Sequence, residues 1–489
     1  MVLLALATII VTSPVHAQNE PATLTIGTLE ALPSLDPAEA GDVFAWEVLT
    51  HLYTGLTRQV PGTLRYELAL AASHTISPDG LIHTFTIRPD AAFDDGTPIT
   101  ARTFADSISR AVQHGRGRVV VAPYIKAATV TGDGALSLTL TAPVPYLEEL
   151  VALPPYFPLQ AGRSNGIYRV GASDADSITL TANPAWRGAP PATRTIRLRH
   201  FDRPADLREA LKAHQVDVAW RGLPPDDAQN ATSVKGIHLT LGPGLQTFYI
   251  LVSQSEPPFN DPALRRAMLP LVDRPLIAKS GLLDTAVPLY SLLPPELAST
   301  RSAVYPEFNA EQAASLLDKA GYSKYRQVEA ALMTSRGLYG DLYFDAGDTL
   351  VNTLVRNGPF SLSQQDSEPH TFVEQLERGT FPLILVGWTP VVPHPDAYLR
   401  PLLHSTGTLA SGAHYANPNV DRLLDQAAQM PDPIRQMALY EEVQAIAMPD
   451  VVAIPLWQNR QLLAAWDGVT GITIEPNFLL RYDQLRIAK

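Results

Sequence analysis

The chain has 489 residues and no cysteine, and its 37 lysines and arginines stand against 49 aspartates and glutamates, a net charge of −12. That length corresponds to roughly three domain-sized units, and 46 % hydrophobic with 18 % charged residues supplies large cores and excludes a disordered chain. Zero cysteine excludes disulfide scaffolds, thiolate metal sites, iron–sulfur clusters, cysteine nucleophiles and a cysteine-linked lipid anchor, and an acidic balance without a long basic run argues against nucleic acid as a partner.

Residues Val2 to Val11 form an apolar run, followed by Thr12-Ser13-Pro14, Val15-His16-Ala17 and polar Gln18-Asn19-Glu20. This reads as a secretory signal, residues 1–17, cleaved after Ala17. The run is shorter than the roughly 20 residues a membrane span needs, although no Lys or Arg precedes it. The mature chain is therefore expected in the periplasm or outside the cell. Thr23 to Gly27 alternates as a short strand, and a helical pattern runs from Asp42 through Phe44, Val48, Leu49 and Leu52. His83 to Arg88 and Ala135 to Thr141 alternate as half-buried strands. Between them Thr100 caps a helix with Phe104, Ile108 and Ala111 on one face. Strands at 177–181 and 195–199, a helix from Leu207 to His214 and a strand at 216–219 follow. A helix is predicted from Asp261 to Ala278 despite Pro270, and another from Asn309 to Gly321, with Gln312 at the capping-box position. Further helices cover 420–430 and 434–448. Interspersed strands and helices indicate mixed α/β lobes, and no internal period points to a solenoid.

Gly162-Arg163-Ser164-Asn165-Gly166 matches the G-x-S-x-G pattern of a nucleophile elbow, which needs a strand before the serine and a helix after it. Here Pro154, Pro155 and Pro158 break the segment before it and Ile167 to Val170 reads as a strand after it, so Ser164 is expected in a loop. No histidine pair has metal-ligand spacing, and Gly132-Asp-Gly134 and Gly242-Pro-Gly244 lack the rest of a dinucleotide fingerprint. More telling are aromatics beside Gly and Pro: Trp46, Trp186, Trp220, Trp388, Tyr398 and Trp457. Such side chains stack on ligands or seal cores; Trp186 reads as a seal and Trp388 as a ligand wall.

Leu70-Ala71 through Ser77-Pro78-Asp79-Gly80, Thr84 to Arg88, and Phe93-Asp94-Asp95-Gly96-Thr97-Pro98-Ile99-Thr100-Ala101 form one distinctive block. Asn183 to Gly188, Val216 to Ala219, Pro257 to Asp261 with Arg265-Arg266-Ala267 and Asp273-Arg274, Ala313 to Tyr322, Gly387-Trp388-Thr389, and Tyr415 to Asp421 with Arg435 and Tyr440 follow in order. These blocks resemble the extracytoplasmic solute-binding proteins of ABC importers, family 5, the class with oligopeptide-, dipeptide- and nickel-binding members. The resemblance implies an α/β, two-lobed periplasmic-binding-protein-like fold of type II, with an extra inserted subdomain and a hinge. Lobe I would comprise 18–57, 165–253 and 464–489, the inserted subdomain 58–164 and lobe II 254–463.

The implied function is capture of a peptide or other small organic ligand between closing lobes and its delivery to the permease of an ABC transporter, by a monomer with no reaction, cofactor or metal. Trp388, Tyr398 and Trp457 would wall the pocket, and Gln246, Asn459 and Asp396 would orient polar groups. In peptide-binding relatives an aspartate three residues after the motif tryptophan pairs with the peptide ammonium. That position here is Val391, with Asp396 as the nearby substitute. The alternative is a secreted serine hydrolase using Ser164.

Overall fold

The computed structural model describes residues 23–299 and 304–487, so the expected signal segment 1–17 lies outside the described residues. Two large sheets organise the chain. One has seven strands in the order 237–242, 461–466, 218–220, 23–28, 195–200, 177–182 and 168–173. Strand 23–28 is its central element, parallel to both 195–200 and 218–220. The other has six strands in the order 286–288, 453–459, 247–252, 383–388, 328–334 and 360–366. A four-stranded antiparallel sheet (71–76, 82–87, 136–140, 125–130) forms a separate unit within the first lobe's sequence.

Local chemistry accounts for several helix starts. Asp42 accepts from the Ala45 amide at 2.9 Å and starts the helix Val43–Leu52, because an N-cap oxygen satisfies a donor that the helix itself leaves free. Thr100 and Thr103 form a reciprocal capping box ahead of Ala101–Gln113, whose buried face carries Phe104, Ile108 and Ala111. Asn309 caps Ala310–Lys319 by accepting from the Gln312 amide at 2.9 Å.

The predicted helix from Asp261 to Ala278 is interrupted. It runs as Pro262–Met268, tightens to a 3-10 turn at Leu269–Leu271, restarts at Arg274 and widens to a π turn at Ile277–Gly281. Pro270 causes the break, since it lacks an N–H and its ring crowds the preceding turn.

The chain passes between the two large sheets twice, at 243–246 and at 460, because strand 237–242 belongs to the first sheet and 247–252 to the second, while 453–459 lies in the second and 461–466 in the first. The expected boundaries at 253 and 463 therefore shift: Thr247–Val252 pairs with Leu383–Trp388 and Ala453–Asn459 in lobe II, and Gln461–Trp466 pairs with Ile237–Gly242 in lobe I. A buried run such as Thr247–Val252 reads alike in either lobe, and only its ladder partners assign it.

Each lobe has its own core. Lobe II buries Phe248, Ile250, Leu385, Leu402 and Trp457 among others. Lobe I and its subdomain bury Ile26, Phe44, Phe104, Leu198 and Trp220. Val392 and Ala397, from the lobe II segment after Trp388, join the lobe I core, with Val391 packed beside them.

Candidate functional site

The two crossings run side by side. The Asn459 amide donates to the Gln246 carbonyl at 2.9 Å, and the Gln458 side chain donates to the Gly244 carbonyl at 2.6 Å. A Cβ at Gly244 would sit 2.4 Å from the Asn459 carbonyl oxygen, so only glycine permits this approach. Gly242-Pro243-Gly244, which carries no nucleotide fingerprint, is part of the hinge.

Against the hinge lies a cavity of about 310 Å³, lined by Glu30, Asp42, Phe44, Arg221 and Phe478 of lobe I, Leu245, Gln246 and Gln461 of the crossings and Thr389 of lobe II. A second cavity of about 330 Å³ includes His51, Tyr66, Trp186, Glu475 and Arg481 and lies wholly within lobe I and its subdomain. Its charges pair among themselves: Arg481 meets Glu475 at 3.2 Å and Asp483 at 2.7 Å, and Arg58 meets Glu67 at 2.8 Å. The hinge cavity is the functional candidate, because it alone of the two takes walls from both lobes, where ligand pockets concentrate.

Of the six residues expected to form the site, Gln246 lines this cavity. Trp388 is half-buried at the end of its strand, its indole N–H donating to the Ala397 carbonyl at 2.9 Å, one residue before the cavity-lining Thr389. The other four are placed differently. Tyr398 is fully buried in helix Pro395–Leu403 and donates to the Leu245 carbonyl at 2.8 Å. Trp457 belongs to a strand buried along its whole length and stacks on Phe248 at 4.8 Å, so it fills the lobe II core. Asn459 donates to Gln246 Oε1 at 2.6 Å and Tyr343 Oη at 2.8 Å and accepts from the Trp457 indole at 3.2 Å, an internal hinge network.

Asp396 is 2 % exposed and accepts from Arg400 Nε at 2.9 Å and the Tyr440 hydroxyl at 3.3 Å. Burial raises its pKa, opposed by Arg400. A carboxylate so enclosed has no face left for a ligand ammonium. Val391, packed against the lobe I core, offers an apolar surface instead.

Sequence reasoning missed the lobe I wall. Glu47 is completely buried and accepts from the Trp220 indole at 2.9 Å, Arg221 Nη2 at 2.9 Å, the Leu480 amide at 2.8 Å and the Tyr482 hydroxyl at 2.6 Å. This buried carboxylate with four donors fixes Arg221, which also donates to the Phe478 carbonyl at 2.8 Å and lies 4.9 Å from the Trp220 ring. Arg221 has φ 58°, a left-handed conformation uncommon for a non-glycine residue and found preferentially at functional positions. For Arg221 the sequence signal was its position, immediately after the strand 218–220.

Ser164 sits in a loop followed by the strand Tyr168–Ser173. Its hydroxyl donates to Asp94 Oδ2 at 3.4 Å and its carbonyl accepts from the Asp94 amide at 2.8 Å. With a strand where an elbow needs a helix, this arrangement gives a serine hydrolase no support. Among the described residues no cluster of His, Asp and Glu could hold a metal ion, and no helix is long and apolar enough to cross a membrane.

Two α/β lobes joined by a double crossing, with a cavity at the joint, define a hinged binding protein. The family model described as bacterial extracellular solute-binding proteins, family 5 Middle, matches residues 65–410, and the chain belongs to that family. It is 23 % identical to the periplasmic oligopeptide-binding protein OppA of Escherichia coli K12, over 92 % of this chain and 90 % of OppA. It is 24 % identical to the probable deoxycholate-binding periplasmic protein YgiS of the same strain, over 93 % of each. Among solved structures, the unliganded open form of the periplasmic murein tripeptide-binding protein MppA superposes with a TM-score of 0.85 at 21 % identity, covering 96 % of this chain and 98 % of that one.

Proposed function

We propose that this protein captures a small solute, a peptide or another organic ligand, in the hinge cavity outside the cytoplasmic membrane and presents it to the permease subunits of an ABC transporter. It acts as a monomer and performs no chemistry on its cargo. The observation that carries this reading is the cavity itself: its walls come from both lobes, and among the described residues the chain crosses between the two large sheets at 243–246 and 460. Hinge closure over such a cavity shields the ligand from water and presents a changed surface to a partner. Closure follows from differential affinity, and moving a 1:99 population to 99:1 takes about 5.5 kcal/mol.

The test is native mass spectrometry of the gently purified chain, combined with small-angle scattering before and after bound solute is stripped by unfolding and refolding. A retained small mass, with expansion on stripping, is the expected result. A chain that retains a small mass yet scatters identically once it is stripped would overturn closure around a ligand, and a turned-over product would overturn the purely binding role.

A further inference from the structure

The cavity of about 330 Å³ within lobe I and its subdomain shares no lining residue with the hinge cavity. Its volume lies in the range of about 300–1,000 Å³ usual for small-molecule pockets. The turn 475–480 divides the two: Phe478 lines the hinge side, whereas Asn477 and Leu479 line this one. Three aromatic residues reach its wall from distant stretches of chain. Tyr66 comes from the strand Tyr66–Leu68, Phe157 follows the 3-10 turn Pro154–Tyr156, and Trp186 belongs to the block Asn183 to Gly188, which the hinge cavity does not use. That block is built to hold the indole in place. Asn183 Nδ2 donates to the Gly166 carbonyl at 2.9 Å, its Oδ1 accepts from the Ala185 amide at 2.9 Å, and the Trp186 indole N–H donates to the Ala189 carbonyl at 3.1 Å.

The charges of this wall do not cancel. Two guanidiniums, Arg58 and Arg481, line it with three carboxylates, Glu67, Glu475 and Asp483. His51 adds no charge, because its Nε2 accepts from the Tyr482 amide at 3.1 Å, which leaves its single proton on Nδ1 for the Glu47 carbonyl at 2.7 Å. Arg58 and Glu67 balance each other at 2.8 Å, so Arg481 alone stands against both Glu475 and Asp483. The side chains of those two acids are 3 % and 13 % exposed, and water screens their surplus negative charge weakly.

The same acids have their oxygens engaged. Asp483 accepts from Arg481 Nε at 2.8 Å and Nη2 at 2.7 Å, and Glu475 accepts from Arg481 Nη1 at 3.2 Å and the Gly62 amide at 2.7 Å. A metal ion or a primary ammonium needs oxygens free to coordinate it or to accept from it. A quaternary ammonium needs neither: it donates no hydrogen bond and is held by aromatic faces within a negative field. We infer that this cavity is a second binding site, separate from the hinge cavity, for a small free quaternary ammonium ion seated among Tyr66, Phe157 and Trp186. Since no residue lines both cavities, this site stands whether or not the hinge cavity takes cargo.

The test is isothermal titration of the full-length chain with choline and with 3,3-dimethylbutan-1-ol, which has the same shape without the charge. Two variants accompany it. Ala152→Phe fills the cavity from a half-buried wall position, and Trp186→Leu removes a half-buried ring. Circular dichroism checks the folding of each, and where Ala152→Phe does not fold, Trp186→Leu decides. Saturable binding of one choline per chain is expected, with the neutral alcohol at least about tenfold weaker and choline at least about fivefold weaker in each folded variant. An absence of saturable choline binding, an alcohol that binds within tenfold of choline, or a choline Kd within fivefold of the parent's in a folded variant would overturn the site.

Discussion

Asn459 Nδ2 donates to Gln246 Oε1 at 2.6 Å, tying the two chain crossings together beside the cavity wall. The same amide donates to Tyr343 and accepts from Trp457, so the hinge is braced to the lobe II core through one side chain. The Tyr398 bond to the Leu245 carbonyl adds a second brace. The crossings are thus anchored firmly on the lobe II side.

The close approach at Gly244 makes it sensitive to a single carbon. Gly244→Ala places its methyl 2.4 Å from the Asn459 carbonyl oxygen, and the crossings must separate to accept it. Overpacking of this kind costs about 1–3 kcal/mol. Urea unfolding measures the loss, and scattering of the ligand-loaded variant is expected to show incomplete closure.

Asp396 serves the fold, and its removal reads out as stability. Asp396→Ala leaves Arg400 with the more exposed Asp425, at 3.0 Å, as counter-charge and the Leu424 carbonyl, at 2.8 Å, as acceptor, and removes the acceptor of the Tyr440 hydroxyl. Breaking a buried pair costs about 3–5 kcal/mol, with a value near the lower end here because Arg400 is 29 % exposed. Denaturant titration should show that loss, while the Kd for any ligand, measured where the variant stays folded, is expected to remain within about twofold. A tenfold weaker Kd would instead make Asp396 a ligand group.

Glu47 is expected to be among the most sensitive polar positions in lobe I. Glu47→Ala orphans the Trp220 indole, the Leu480 amide and the Tyr482 hydroxyl and leaves Arg221 without its counter-charge. The expected loss is about 3–5 kcal/mol, read by denaturant unfolding, together with loss of cargo binding as Arg221 leaves its place.

Acid weakens the fold through its histidines. Burial lowers the pKa of His51, and holds His83 and His394 down to about 4, His83 also facing His74. A folded-state pKa below the unfolded value near 6.5 means that the unfolded chain binds more protons between those values. Stability is therefore full above pH 6.5 and falls as pH drops toward 4, by on the order of 3 kcal/mol for His394 alone. His394 also caps its helix, accepting from the Asp396 amide at 3.2 Å. His394→Asn keeps a capping oxygen without a titrating ring, and the thermal midpoint of that variant is expected to decline less steeply between pH 6.5 and 4.5 than the parent's.

Ser164→Ala is expected to leave cargo affinity unchanged and to lower stability by less than about 1 kcal/mol, because its hydroxyl makes one long bond, to Asp94. Covalent labelling of Ser164 by a phosphonate probe would contradict this.

Local order was legible in the sequence wherever neighbouring residues decide it. The caps at Asp42, Thr100 and Asn309, the apolar face of Phe104, Ile108 and Ala111, and the alternating strands near 85 and 138 all occupy the expected places. The ordered motifs pointed to the family and its two lobes. What the local pattern could not decide is which way a side chain faces once its strand is buried on both sides: Trp457 and Tyr398, aromatic and near Gly or Pro, became core, and Asp396, acidic and well placed in sequence, became half of an internal ion pair. The lobe boundaries likewise waited on ladder partners, since Thr247–Val252 would be equally apolar in either sheet. Glu30 and Arg221 carry no signature in themselves. Their meeting at one wall depends on two strands, distant in the chain, pairing in parallel, a long-range choice that only the packed tertiary structure makes.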